Sequence, residues 1–339
     1  MYKIRKLTAK ECWRLMGFTD EAYNKAEKAG VSKTQLYKQA GNSIVVDVLY
    51  YMFKQLFANV EELSINELFA GIGSQVTALK RLGKKIDVVG ISEIDTYALC
   101  SYEAIHGKTR NYGDITKTQR LEYADFWTYS FPCTDISLAG RQRGLVKGET
   151  RSGLLYEVER LLNVAIAEEK QPKYLMLENV RNLTSKKFEG QFIEWLKFLE
   201  DSGYNNYWQV VNAKDYGVPQ NRERVFVFSI RKDIDEGTFK FPTPFESNKK
   251  LIDIMEAEKD IQGDYEVHKT WTPKVLEDLN KGIGDREEII NKVIKEYNRS
   301  IKHQQDALQS AYGVCRCIPA GTHGSTPHLL KTVLWCEEE

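Results

Sequence analysis

Four short stretches of this 339-residue chain carry side chains suited to chemistry. In Ser130-Phe131-Pro132-Cys133-Thr134-Asp135-Ile136-Ser137, a cysteine follows the apolar run Phe126–Phe131. A thiol at the carboxyl end of a strand stands where sheet enzymes keep reactive groups. A lone cysteine is equally often a buried, inert side chain, and this segment by itself leaves both readings open. Glu178, in Leu177-Glu178-Asn179-Val180, closes the run Tyr174–Leu177. It reads either as a helix cap or as an acid sharing an edge with Cys133, where confinement lets a carboxyl donate a hydrogen bond. Arg222 and Arg224 stand two apart in Pro219-Gln220-Asn221-Arg222-Glu223-Arg224-Val225-Phe226. That spacing in a strand points both guanidinium groups to one face, although Arg-Glu-Arg is also an ordinary surface salt-bridge stripe. Glu67-Leu68-Phe69-Ala70-Gly71-Ile72-Gly73-Ser74 carries a strand through a glycine turn into a helix, which lets backbone approach a ligand closely. Val76 occupies the third glycine position of a dinucleotide fingerprint and disfavours NAD. Glu93 ends the next strand, placed to accept hydrogen bonds from ribose hydroxyls, so the pair of features points to a nucleoside-bearing cofactor.

These residues need a sheet to hold them. Short apolar runs at Ile65–Ala70, Ile86–Ser92, Phe126–Phe131, Tyr174–Leu177 and Val225–Ile230 alternate with helix-period segments at Gln75–Leu82, Tyr97–His106, Leu154–Glu168 and Phe192–Asp201. The rhythm predicts an α/β fold with an open parallel sheet, helices on both faces, and ligands beyond the carboxyl ends of the strands. The region before it reads as helices over Leu7–Gly17, Asp20–Ala29 and Asn42–Phe57, with a capping box from Thr8 to Glu11. After Pro242 and Pro244 the rhythm stops. The expected organisation is a helical segment over 1–59, a catalytic domain over 60–245 and a smaller domain over 246–339.

With 48 Lys+Arg against 48 Asp+Glu, no global field pulls the chain onto a polyanion, so such binding needs local basic patches. Gly140-Arg141-Gln142-Arg143-Gly144, continuing through Lys147 to Arg151, is one: a glycine-punctuated basic loop able to close over a phosphate backbone. The last third is more acidic than basic, so its basic and polar groups are expected to gather on one face. No stretch reaches the roughly 18 apolar residues of a membrane span, and the start lacks a signal-peptide core, so a cytoplasmic protein is expected. Six scattered cysteines form no disulfide framework. Cys315-x-Cys317 with His323 and His328 is not the usual zinc knuckle, and no metal is expected.

Taken together, Phe69–Ser74, Phe131–Ser137, Glu178–Val180 and Gln220–Phe226 resemble motifs I, IV, VI and VIII of the DNA (cytosine-5) methyltransferases, in order and at plausible spacing. Arg5–Phe18 and Gln39–Val46 resemble motifs IX and X, which most members of that family carry at the C-terminus. The chain therefore resembles a circularly permuted member, opened between the target-recognition region and motif IX. Cys317–Leu334 is similar to the end of a target-recognition region. Termini that lie close together make such a rearrangement tolerable.

The resemblance implies an S-adenosylmethionine-dependent methyltransferase sheet with a C-terminal target-recognition domain. By the same resemblance Cys133 adds to C6 of cytosine, Glu178 shares a proton with N3, and Arg224 with Arg222 holds the O2 edge. S-adenosylmethionine would rest on Phe69, Gly71 and Gly73, with its ribose on Glu93 and its adenine against Ile94 near Asp114 and Ile115. Pro132, Leu154 and the turn Asn42-Ser43 at the start of a helix would complete the pocket. Ile94 stands where relatives commonly carry an aromatic residue, and Thr134 where they carry Gln. Ser137, Arg141, Gln142, Arg143 and Arg151 would contact double-stranded DNA. The cytosine must leave the stack, at a cost of a few kcal/mol. A monomer in a restriction-modification or phage-protection setting is implied, without direct binding to an endonuclease. Two other functions fit the same fold: a tRNA cytosine-5 methyltransferase, which typically has a smaller recognition insert, and a non-catalytic DNA-binding subunit, against which intact Cys133, Glu178 and Arg224 argue.

Overall fold

The computed structural model describes residues 2–133, 136, 151–257, 260–261, 295, 308–310, 314–316 and 332–336. In chain order its elements are β1 (Tyr2–Lys6), α1 (Ala9–Leu15), α2 (Asp20–Lys28), α3 (Lys33–Asn42), α4 (Val46–Leu56), β2 (Glu62–Leu68), α5 (Ser74–Arg81), β3 (Lys85–Ser92), α6 (Thr96–His106) and β4 (Phe126–Tyr129). There follow α7 (Leu155–Ala167), β5 (Tyr174–Val180), α8 (Glu189–Asp201), β6 (Tyr204–Asn212), β7 (Gln220–Asn221), β8 (Glu223–Arg231), β9 (Leu308–Ser310), β10 (Cys315–Arg316) and β11 (Thr332–Cys336). They fall into two compact units. One comprises Met1–Ser43, Ala213–Arg222 and Phe245–Glu339; the other comprises Ile44–Asn212 and Glu223–Pro244.

The second unit is built on a six-stranded sheet of order β3-β2-β4-β5-β8-β6. β3, β2, β4 and β5 run parallel, whereas β8 is antiparallel to both β5 and β6. The all-parallel sheet predicted from the sequence is thus corrected at one edge. Val225–Ile230 reaches its place by returning from β6, a strand whose sequence Tyr-Asn-Asn-Tyr-Trp-Gln-Val-Val-Asn has no apolar alternation to announce it. Neighbouring side chains of β4 face opposite ways. Phe126 meets Phe53 and Phe57 at ring-centroid separations of 5.6 and 5.2 Å, while Trp127 and Tyr129 enter a core with Leu155, Val158 and Leu162 of α7 and Phe192 and Trp195 of α8. Helices therefore cover both faces. Each such buried side chain contributes roughly 1.5–3 kcal/mol. The strand order reverses between β2 and β4, which opens a crevice at their carboxyl ends, the usual ligand site of such sheets.

In the first unit α1 opens with the expected capping box: Glu11 N donates to Thr8 Oγ1 at 3.1 Å and Thr8 N to the Glu11 carboxylate at 2.7 Å. Arg5 pairs with the same buried carboxylate at 2.7 Å. α3 is a helix in the stretch between Ala29 and Asn42, to which the sequence reading assigns no element. Ser32 caps it by accepting from Gln35 N, and Leu36, Tyr37 and Ala40 bury one side of it. The helix expected over Asn42–Phe57 starts only at Val46 and belongs with the sheet, so the boundary expected near residue 59 falls between Ser43 and Ile44. β1 pairs antiparallel with β11, which pairs parallel with β9; β10 pairs parallel with β7. No helix among the described residues is long and apolar enough to cross a membrane.

Candidate active site

At the end of β2 the backbone turns sharply, with φ of 57° at Phe69 and Gly71 and 79° at Gly73. Ala70 N donates to Ser92 O at 3.1 Å, which ties the turn to the end of β3. The two glycines differ in surroundings. A Cβ on Gly71 would meet nothing within 4 Å, so Gly71 faces open space; a Cβ on Gly73 would run into His106 and come within 2.8 Å of Tyr102 Cε2. Gly73 caps α5 without a side-chain acceptor. The acid for that helix start comes from beneath. Glu67, buried at the end of β2, accepts from Val76 N at 3.3 Å and from Tyr102 Oη at 3.0 Å, and burial pushes its carboxyl up to about 7. Sequence reasoning passed over Glu67, although an acid closing an apolar strand is the same signal that singled out Glu93.

Glu93, just past β3, accepts from Gly71 N at 2.8 Å through Oε2, and from Ile94 N at 2.8 Å and Asp95 N at 2.7 Å through Oε1. Oε2 thus keeps lone-pair capacity for a ligand hydroxyl. Burial raises this carboxyl above its ordinary range. Ile94 beside it is 72% exposed, an apolar surface at the mouth of the crevice. Asp114 accepts from the hydroxyl and N–H of Thr116, which hold its carboxyl below the usual range. The Ile115 side chain is buried in the core, and its carbonyl accepts from Arg160 Nη2 at 3.1 Å. Phe69, Pro132 and Leu154 are half-buried.

On the other side of the crevice β4 delivers Cys133. Three side chains fix its loop: Asn179 Nδ2 donates to Phe131 O at 3.0 Å, Ser152 Oγ to Pro132 O at 2.7 Å, and Asn182 Nδ2 to Ile136 O. A turn closed by Ile136 N donating to Cys133 O at 3.0 Å leaves the cysteine half-buried. On neighbouring β5, Leu177 is paired with Tyr129 of β4, which sets Glu178 at the same edge. Because β8 runs antiparallel, its beginning lies at that edge too, and Arg224 pairs with Val180 in the register. Arg224 Nε lies 3.2 Å from Glu178 Oε1, with both side chains largely buried. Pairing is what makes burial of the two charges tolerable.

Arg222 has a different task. It precedes β8 and belongs to the first unit, where its Nη2 donates to Gly41 O at 3.0 Å and Ser43 O at 2.8 Å. The two arginines therefore do not share one strand face, and the period-two argument fails because the strand starts one residue after Arg222. Asn42 and Ser43, expected to open a helix, close α3 instead. Ser137, Arg141, Gln142, Arg143 and the side chain of Arg151 lie outside the described residues, as do Cys317, His323 and His328.

A family model described as C-5 cytosine-specific DNA methylase matches residues 1–58 and 63–328. The type II methyltransferase M2.ScrFI of Lactococcus lactis subsp. cremoris is 36% identical over 250 residues, covering 57% of this chain and 68% of that protein. The orphan methyltransferase M.SssI of Spiroplasma monobiae is 31% identical over 262 residues, covering 59% and 67%. The chain thus spans about two thirds of the length of either relative. Among solved structures, the Entamoeba histolytica methyltransferase EhMeth shares the fold with a TM-score of 0.50 at 14% identity, over 76% of this chain and 71% of that one. The chain belongs to the C-5 cytosine-specific DNA methylase family and is a DNA cytosine-5 methyltransferase.

Proposed function

We propose that the enzyme methylates a cytosine turned out of duplex DNA, with Cys133 as covalent nucleophile and S-adenosylmethionine as methyl donor. One observation carries this reading: Cys133, Glu178 and Arg224 come from three adjacent strands to a single sheet edge, with the last two 3.2 Å apart. The residues around the glycine turn fit the donor. Glu93 has an oxygen left for a ribose hydroxyl, Ile94 offers an apolar surface for adenine, Asp114 and the Ile115 backbone lie on the adenine side, and Gly71 keeps backbone open to the ligand. Bound there, S-adenosylmethionine supplies the methyl group as an electrophile on its sulfonium sulfur.

Cys133 Sγ bonds to C6, and the electron pair of the 5,6 double bond moves to C5, making that carbon nucleophilic. Glu178, held by Arg224 through Oε1, shares a proton with ring N3 and offsets the charge that builds there. Arg224 orients Glu178 and the O2 edge of the base. Once C5 carries the methyl group, a base takes its proton, the 5,6 bond re-forms and Cys133 leaves. Arg222 fastens the backbone at the end of α3 in its own unit, next to Asn42 and Ser43.

The order of motifs is that of a circular permutation. The separate matches over 1–58 and 63–328 support this, as does the pairing of β1 with β11, which joins the strand before motif IX to the strand that ends the recognition region. Residues from 246 onward then act as the target-recognition domain, with the basic loop through Arg141, Arg143 and Arg151 closing on DNA. The type II relative supports a restriction-modification setting. A duplex bearing 5-fluorocytosine at the target cannot lose its C5 substituent as a proton, so it should leave the enzyme cross-linked through Cys133, as read by peptide mass. Methylated DNA without any adduct would overturn covalent catalysis. Bisulfite sequencing of DNA from expressing cells gives the target base and its sequence context.

A further inference from the structure

The loop that carries Asp114 is held to the end of β3 by a backbone bridge and by the side-chain amide of Asn111. Asn111 forms a parallel bridge with Ile91, bracketed by Ile91 N donating to Arg110 O at 2.9 Å and Tyr112 N to Ile91 O at 2.7 Å. Its backbone is thereby fixed alongside β3. From that position Oδ1 accepts from Glu93 N at 3.2 Å and from Gly113 N at 2.9 Å, while Nδ2 donates to Glu93 O at 2.9 Å. Both lone pairs of the oxygen and one of the two N–H groups are thus in use. All three bonds go to Glu93 or to the residue directly before Asp114. A carboxylate cannot replace this amide, because an oxygen in place of Nδ2 would face Glu93 O.

We propose that Asn111 is a positioning residue for the nucleoside end of the cofactor, setting the distance between the ribose-binding acid Glu93 and the adenine-side residues Asp114 and Ile115. The assignment rests on reading Glu93 and Asp114 as cofactor residues. Asn111 touches neither the methionine end of the site nor the Cys133 loop, so its loss has a signature that general loosening of the fold lacks. Ser92 Oγ, donating to Gly113 O at 2.7 Å, is a further tie on the same loop, so a change at Asn111 should alter the spacing between Glu93 and Asp114 without freeing the loop.

Calorimetric titration of S-adenosylmethionine and of adenosine into wild type, Asn111→Asp and Asn111→Ala tests the idea, together with steady-state methylation. The expected result is a Kd for both ligands weakened about ten-fold by the same factor. The KM for S-adenosylmethionine should rise equally, with kcat at saturation and the Kd for DNA within two-fold of wild type. Variants that bind both ligands as wild type does would overturn the role of Asn111 and leave the site standing. A parallel fall in kcat and DNA affinity, or loss of the fold in both variants, would also overturn it by making Asn111 a residue of general structure. Wild-type protein that binds neither ligand would instead overturn the reading of Glu93 and Asp114.

Discussion

The two sides of the crevice are built from different materials. Around the ends of β2 and β3, backbone N–H groups of Gly71, Ile94 and Asp95 converge on one carboxylate, and positive-φ residues shape the turn. Around the ends of β4 and β5, the side chains of Asn179, Ser152 and Asn182 reach to backbone carbonyls, and Arg224 reaches to Glu178. A site shaped by backbone is most sensitive to an added Cβ in the wrong place. One made from side chains is sensitive to the loss of any of them. The first suits a ligand recognised by shape and a few hydrogen bonds; the second suits a reaction that needs particular functional groups.

Substitutions can break this contrast at its extremes. Cys133→Ala should lower methyl transfer, followed as label incorporated from S-adenosylmethionine, by on the order of 10⁴-fold or more while DNA binding persists. Turnover near the wild-type rate would remove the side-chain half of the comparison altogether. Glu178→Gln should cost about 10²–10³-fold in kcat with little change in KM for the cofactor; a change in KM alone would move Glu178 to the other side. Within the backbone half, Gly73→Ala combines a left-handed φ with a collision against Tyr102 and should destabilise by roughly 2–4 kcal/mol. Gly71→Ala, strained but uncrowded, should cost about 1–2 kcal/mol in chemical denaturation, and equal costs would show that packing at Gly73 is immaterial.

A further test concerns pH. Glu67 holds its proton up to about 7 in the folded protein, against about 4.3 in an unfolded chain. Its contribution to stability is therefore full below about pH 4.3 and is lost as pH rises through 7, by at most roughly 3–4 kcal/mol. Glu67→Gln cannot ionise, so denaturation at pH 5 and pH 8 should show the variant gaining on wild type at the higher pH. An unchanged gap would mean that Val76 N and Tyr102 Oη, together with the helix start, hold the charged form comfortably.

How far the sequence displayed this arrangement depended on the range of the interaction. Cys133, Glu178 and Glu93 were legible because each is a polar residue that closes an apolar strand, a signal contained within a few positions. The residues that hold Cys133 in place were not, since Asn179, Asn182 and Ser152 act across 48, 46 and 20 positions and nothing local marks them. β6 was missed because its outer edge and mixed face need no alternation, and α3 because Gly41 near its end is tolerated in a buried position. Arg222 and Arg224 look equivalent in sequence. A one-residue difference in where β8 begins gives one to the backbone of Gly41 and Ser43 and the other to Glu178.

The antiparallel pairing of β1 with β11 also orders events in time. Residues 2–6 leave the ribosome long before their partners at 332–336. At about 5–20 residues per second, that strand waits roughly 15–70 seconds for its mate. The residues of the central sheet are complete well before. Synthesis therefore favours a catalytic half that folds early and a strand β1 that must be kept from pairing elsewhere until residues 332–336 have emerged.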